Sequence, residues 1–78
     1  MPTKAYVLLN VKSGTSKKVV KALSKIRSVK AAHACWGRPD IFAYVEVKDE
    51  KALGSLVLSR IQTTAGVQAT DTHIVIEE

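Results

Sequence analysis

The sequence contains one cysteine, no long apolar run and no repetitive segment. With Cys35 alone an internal disulfide cannot form, which agrees with a reducing compartment. The longest apolar run near the N-terminus, Ala5 to Leu9, is too short for a signal-peptide core or a membrane span, and Asn10 and Lys12 follow it closely. A cytoplasmic protein is expected. No repeat, low-complexity tract or linker divides the 78 residues, so residues 1–78 read as a single domain with a small core that a partner would help to stabilise.

What is present is the composition of a folded, basic domain. Hydrophobic residues make up 46%, and 12 Lys and Arg against 7 Asp and Glu give a formal net charge of +5. That balance admits nucleic acid, anionic membrane or acidic ligands as partners, and it is equally the charge of an ordinary soluble domain.

Lys4 to Val11, KAYVLLNV, reads as a first strand ended by the cluster Ser13-Gly14-Thr15-Ser16. From Ser16 to about Ser28, Val19, Leu23 and Ile26 recur at helical spacing, while Lys17, Lys18, Lys21, Lys25 and Arg27 give the helix a basic outer face. Thr15 or Ser16 is placed to cap its first turn by accepting a backbone hydrogen bond. Val29 to Trp36 and Ile41 to Lys48 flank WGRPD and read as a β-hairpin. Asp49 then caps a second helix through about Gln62, with Leu53, Leu56, Val57 and Ile61 as its apolar stripe despite Gly54. Val67 to Ile76 reads as a long fourth strand.

The order β-α-β-β-α-β predicts an α+β fold, a ferredoxin-like sandwich with two helices on one face of a four-stranded antiparallel sheet. The uncovered face of such a sheet should be polar, yet both parities are apolar here. In the first strand Ala5, Val7, Leu9 and Val11 oppose Tyr6 and Leu8; in the third, Ile41, Ala43, Val45 and Val47 oppose Phe42 and Tyr44. In the fourth, Ile74 and Ile76 oppose Val67, Ala69 and Val75. A second copy covers such a surface most economically, so a sheet-to-sheet homodimer is expected, with Tyr6, Leu8, Phe42, Tyr44, Ile74 and Ile76 at its interface.

Catalytic chemistry has little support. His33, Cys35 and His73 supply a nucleophile and bases, but no orienting third group or oxyanion loop accompanies them, and strand histidines with a buried cysteine ordinarily pack. The same residues lack the paired spacings of a zinc site, so neither a metal nor another cofactor is expected. Ser13-Gly14-Thr15-Ser16-Lys17 is not a Walker sequence, and the Gly-aromatic-Gly-aromatic pattern of RNA-recognition domains is missing from the third strand. Tyr6, Phe42 and Tyr44 are able to stack on bases, but an apolar interface explains them with fewer assumptions. Thr70 and Thr72 share a strand face, and with Asp40 they suit a small polar pocket at a subunit boundary.

The hairpin WGRPDIFAYV resembles the Gly-x-x-Asp loop and following strand of the Lrp/AsnC effector domain, the RAM domain, and GVQATDTHIVI is similar to that family's last strand. The resemblance covers essentially the whole chain. It implies dimers packed sheet against sheet into an αβ sandwich or barrel, a ring such as an octamer, and amino-acid effectors bound between subunits near the loop. It also implies a role in transcriptional or metabolic regulation. The chain starts directly at the first strand, so a stand-alone module is expected, without a helix-turn-helix and without direct sequence-specific DNA binding. Full-length Lrp/AsnC proteins are implied as possible partners. For a bound amino acid, a backbone N–H near Gly37 or Arg38 would meet the carboxylate and Asp40 the ammonium, with Gln62, Thr70 and Thr72 as polar lining and Trp36 as an apolar wall. Pro39 departs from the family pattern and removes a backbone donor, and Arg38 is an alternative partner for Asp40. A nucleic-acid-binding module and a small ferredoxin-like enzyme are the competing readings.

Overall fold

Period-two alternation makes KAYVLLNV a strand whose even and odd residues meet different surroundings, and this strand lies inside the sheet. The computed structural model describes residues 2–76. It contains β1 (Thr3–Val11), α1 (Ser16–Ser24), β2 (Val29–Ala34), β3 (Ile41–Val47), α2 (Glu50–Leu56) and β4 (Val67–Ile74), and α2 continues as a π-helical turn, Val57–Ile61. The sheet order is β2-β3-β1-β4 with every pairing antiparallel, the expected ferredoxin-like sandwich. No helix among the described residues is long and apolar enough to cross a membrane.

The odd residues of β1 and β3 build the core. Ala5, Val7, Leu9, Ile41 and Val45 are fully buried beneath Val19 and Leu23 of α1 and Ile61 at the end of α2. The helices therefore lie on that side, and removing these apolar groups from water is the main driving force for the fold. Leu53, Leu56 and Val57 complete the stripe expected for α2. Asp49 caps this helix as expected, its Oδ1 accepting from Ala52 N–H at 2.8 Å. At its other end, Thr63 and Thr64 hydroxyls donate to the Ser59 and Arg60 carbonyls, which the last turns leave without backbone partners.

Several boundaries fall short of the predicted ones. α1 stops at Ser24 instead of Ser28, because Ile26 N–H turns back to the Leu23 carbonyl at 3.0 Å, a tighter closing turn that still buries Ile26. β2 ends at Ala34, β3 at Val47 and β4 at Ile74, although Val75 N–H still donates to Lys4 O at 2.8 Å. Thr15 does occupy the N-cap of α1, but its hydroxyl donates to Lys12 O at 2.6 Å and does not cap the helix.

The two outer strands each carry an irregularity. β2 holds one extra residue at Lys30, between the pairs Val29–Val45 and Ala31–Tyr44, and β4 holds one at Gln68, between Val67–Val11 and Ala69–Asn10. The second of these corrects a parity: Val67 and Ile74, predicted to oppose one another, stand on the same side of the sheet, paired with Val11 and Ala5. Val67 accordingly packs against the core.

At the start of β4 the chain passes closely over the start of α1. Gly66 has φ +98°, its carbonyl accepts from Lys12 N–H at 2.7 Å, and a Cβ there would lie 2.8 Å from Thr15 Oγ1 and 3.2 Å from Val19 Cγ2. Gly66→Ala should therefore lower stability by about 2–4 kcal/mol, combining the left-handed backbone penalty with overpacking. Urea denaturation at fixed protein concentration measures this, and a loss below roughly 0.5 kcal/mol would show that the contact relaxes freely.

Candidate functional site

The hairpin loop is tied to the end of β1 by Asp40. Its N–H donates to Leu9 O at 2.9 Å, its carbonyl accepts from Cys35 N–H at 2.8 Å, and its Oδ2 accepts from Val11 N–H at 2.9 Å. One carboxylate oxygen is thus engaged in holding the loop, a role that no local pattern in WGRPD reveals. A charge-assisted bond of this kind contributes about 1.5–3 kcal/mol where it is screened from water. No salt bridge joins Arg38 to Asp40 in the structure.

Beyond Asp40 the loop stands free. Gly37 takes φ +97°, a conformation suited to glycine, and the Arg38–Pro39 peptide is cis. Trp36 is completely exposed, as is expected of a group with no wall to form within its own chain, and the Arg38 side chain is exposed as well.

Gln62 and Thr70 come together on the other flank of β1. Gln62 Nε2 donates to Thr70 Oγ1 at 3.0 Å, a bond made possible by the π turn that ends with Gln62 N–H on the Val57 carbonyl. Thr70 pairs with Leu9 and Thr72 with Val7, so both hydroxyls stand on the helix side of the sheet and are partly exposed. Leu9 has Ile41 on one side and Thr70 on the other, which places the Asp40 and Thr70 flanks roughly 10 Å apart across two strand spacings. A single chain therefore holds two separate polar groups of residues, and they do not close one pocket.

The uncovered sheet face has a different character. Strand pairing sets Tyr44 and His73 on either side of Tyr6, and Phe42 and Asp71 on either side of Leu8. The Tyr6 and Tyr44 rings lie 5.1 Å apart between centroids, and a recess of about 330 Å³ opens there, lined by Tyr6, Ala31, His33, Phe42, Ala43 and Tyr44. Tyr6 and Phe42 remain 48% and 41% exposed. Burial first, and the Glu46 carboxylate second, push the Tyr44 phenol above its usual range, so it stands as a neutral donor. Polar groups flank the apolar centre: Lys4 pairs across from Glu46, and His73 Nε2 lies 3.2 Å from Asp71 Oδ2.

Ile74 does not share this face. It pairs with Ala5 and stands on the helix side, while Ile76 lies past the end of β4 and is 85% exposed. Ala31, His33 and Asn10 belong to the uncovered face and were missed by the parity argument, which looked for large apolar residues. Asn10 Oδ1 is buried without a hydrogen-bond partner among the described residues.

His33, Cys35 and His73 are not assembled for chemistry. His33 and His73 sit on the two outer strands with β3 and β1 between them, and Cys35 Sγ approaches the backbone oxygen of His33, not its ring. No group of three His, Cys, Asp or Glu among the described residues is arranged to hold a metal.

Comparison with known proteins agrees with this architecture. Residues 4–78 match the family model described as the Lrp/AsnC ligand binding domain. No curated protein sequence matched. A protein from Pyrococcus horikoshii of solved structure is 28% identical, with 100% of this chain and 93% of that one covered at a TM-score of 0.90. AsnC of E. coli is 25% identical with a TM-score of 0.90, and 97% of this chain covers 52% of it. A transcriptional regulator from Neisseria meningitidis, solved as an L-Met complex, shares the fold at 19% identity and a TM-score of 0.86, with 97% and 51% covered.

Proposed function

This chain belongs to the Lrp/AsnC ligand-binding domain family, and from that premise we propose that it is a non-enzymatic, oligomeric effector-binding module. It senses a small molecule, an amino acid, at the boundary between subunits and serves transcriptional or metabolic regulation. The observation that carries this reading is that the Asp40 loop and the Gln62–Thr70 pair flank the end of β1 without closing a pocket in their own chain. A neighbouring subunit completes such a site. The exposed Trp36 supplies its apolar wall and the backbone near Gly37 and Arg38 its carboxylate contact, while the remaining capacity of Asp40 meets the ammonium.

Assembly uses a second surface. Two copies pack their uncovered sheet faces together, with Tyr6, Leu8, Phe42 and Tyr44 at the centre, and these pairs associate into a ring such as an octamer or with full-length relatives. An effector that completes a site between subunits binds one assembly better than others, so ligand affinity and oligomeric state are reciprocally linked.

The test is a thermal-shift screen of the twenty amino acids, with sizing of any hit. At one hundred times Kd a ligand stabilises by about 2.7 kcal/mol, which for a domain of this size raises Tm by roughly 10 °C or more. Asp40→Asn separates the two duties of the residue, since its amide oxygen still accepts from Val11 N–H but carries no charge. The variant is expected to keep the Tm of the unliganded protein within a few degrees and to lose the ligand shift. A shift that survives in Asp40→Asn rejects the ammonium contact, and no hit with an unchanged assembly rejects effector sensing.

A further inference from the structure

Positive charge is distributed unevenly along this chain. Nine of its 12 Lys and Arg precede Asp40, which is the first acidic residue. Lys17, Lys18, Lys21 and Lys25 all point outward on α1 and its C-cap, and Arg27 and Lys30 continue the exposed run into β2. None of these six forms a salt bridge among the described residues.

Lys21 in the last turn and Lys25 at the C-cap suit the helix dipole, but the rest of the placement works against the helix that carries it. Lys17–Lys21 and Lys21–Lys25 are like-charge pairs four residues apart, which repel on a helix surface. Lys17 and Lys18 also occupy the first turn, where the helix dipole favours acids, and no acid is present there. A sequence that breaks two local rules on one exposed face invites a compensating function.

We propose that this α1 face docks on the phosphate backbone of nucleic acid, without reading its sequence. Lys17, Lys21 and Lys25 rise about 6 Å per step along one side of the helix, and duplex DNA presents one charge per roughly 1.7 Å of axis. A regularly charged polymer thus matches the ridge along its length. A second copy of this chain does not. Among the described acidic residues, Asp40 is bound to Val11 N–H, Asp49 caps α2, and Glu46 and Asp71 lie on the opposite, uncovered sheet face beside Lys4 and His73. The helix side thus offers Glu50 next to the capping Asp49 and no acidic row to match the ridge. The helices cover the side of the sheet opposite the apolar face, so docking on α1 leaves the surface proposed for sheet-to-sheet pairing free.

Fluorescence anisotropy of a labelled 20-base-pair duplex of mixed sequence, titrated with the full chain at 50 and 200 mM KCl, tests the assignment. With about four phosphate contacts, affinity should fall roughly 10²-fold between the two salts. Lys17→Gln/Lys21→Gln/Lys25→Gln should bind more weakly at 50 mM and lose less than about tenfold on the same step. Glutamine has nearly the helix propensity of lysine, and Lys21→Gln alone should already lower the log–log salt slope by about 0.9. The control Lys48→Gln/Lys51→Gln/Arg60→Gln removes the same charge elsewhere and should leave the slope unchanged. The proposal is overturned by absence of binding at 50 mM, by equal loss in the two triple variants, or by polyglutamate competing with DNA charge for charge, which would instead mark an acidic protein surface as the partner.

Discussion

With subunits packed as proposed, Phe42→Glu is expected to leave a folded monomer. Phe42 lies at the centre of the uncovered face, between His33 of β2 and Leu8 of β1, and its side chain is outside the core. In a two-fold interface each substitution occurs twice. Burying the 41% of Phe42 that is exposed contributes about 1 kcal/mol per copy, and a carboxylate facing an apolar partner adds a desolvation cost of several kcal/mol per copy. A combined loss of at least about 6 kcal/mol weakens association roughly 10⁴-fold. Sedimentation equilibrium over a range of concentrations measures the change, with far-UV circular dichroism confirming that the monomer is folded. If Phe42→Glu assembles like the parent chain, the sheet face is not the interface and the proposed arrangement of subunits fails.

Leu9→Ala should have an effect of comparable size by a different route. Leu9 is completely buried in a central strand, one residue from Leu8, which points to the opposite face. Truncating such a leucine costs about 3–5 kcal/mol, of which the residual cavity is a large part. A domain of this length has a total stability of roughly 4–12 kcal/mol, so the variant loses about a quarter of it or more. The position also matters for the site, because Leu9 O accepts from Asp40 N–H and Leu9 pairs with Thr70. Urea unfolding must be compared at equal protein concentration, since association contributes to apparent stability. Leu8→Ala is the internal comparison: it should weaken association and spare the stability of the monomer. Equal loss of monomer stability in the two variants would contradict the assignment of faces.

The contrast between Leu8 and Leu9 shows how much could be read directly. Alternation in β1 and β3 and the helical recurrence of Val19, Leu23, Leu53 and Ile61 are local patterns imposed by backbone geometry, and each led to the correct buried face. Residues whose roles depend on distant partners were not legible. Asp40 was singled out as a ligand contact, but its bond to Val11 N–H spans 29 residues of sequence. The extra residues at Lys30 and Gln68 have no turn signal to announce them, and the second reversed the expected relation of Val67 to Ile74. Thr15 had the right chemistry for a cap, but its backbone, at φ −107° and ψ 0°, is not in the extended conformation of a capping residue, and its hydroxyl turns to Lys12 O instead. The pairing of Gln62 with Thr70 likewise depends on a π turn that helical spacing alone does not distinguish from α.

The irregularities at Lys30 and Gln68 have a consequence for how such a chain avoids uncontrolled aggregation. A sheet ends in two strands with unpaired backbone groups, and straight edges of that kind template further chains into fibres. In this protein both outermost strands carry a bulge, and one bulged residue is a lysine, whose charge opposes insertion into a stacked sheet. Fibril growth by successive strand addition is thereby disfavoured at each end. A chain with two apolar sheet faces is thus guarded at the two edges where open-ended strand pairing would begin.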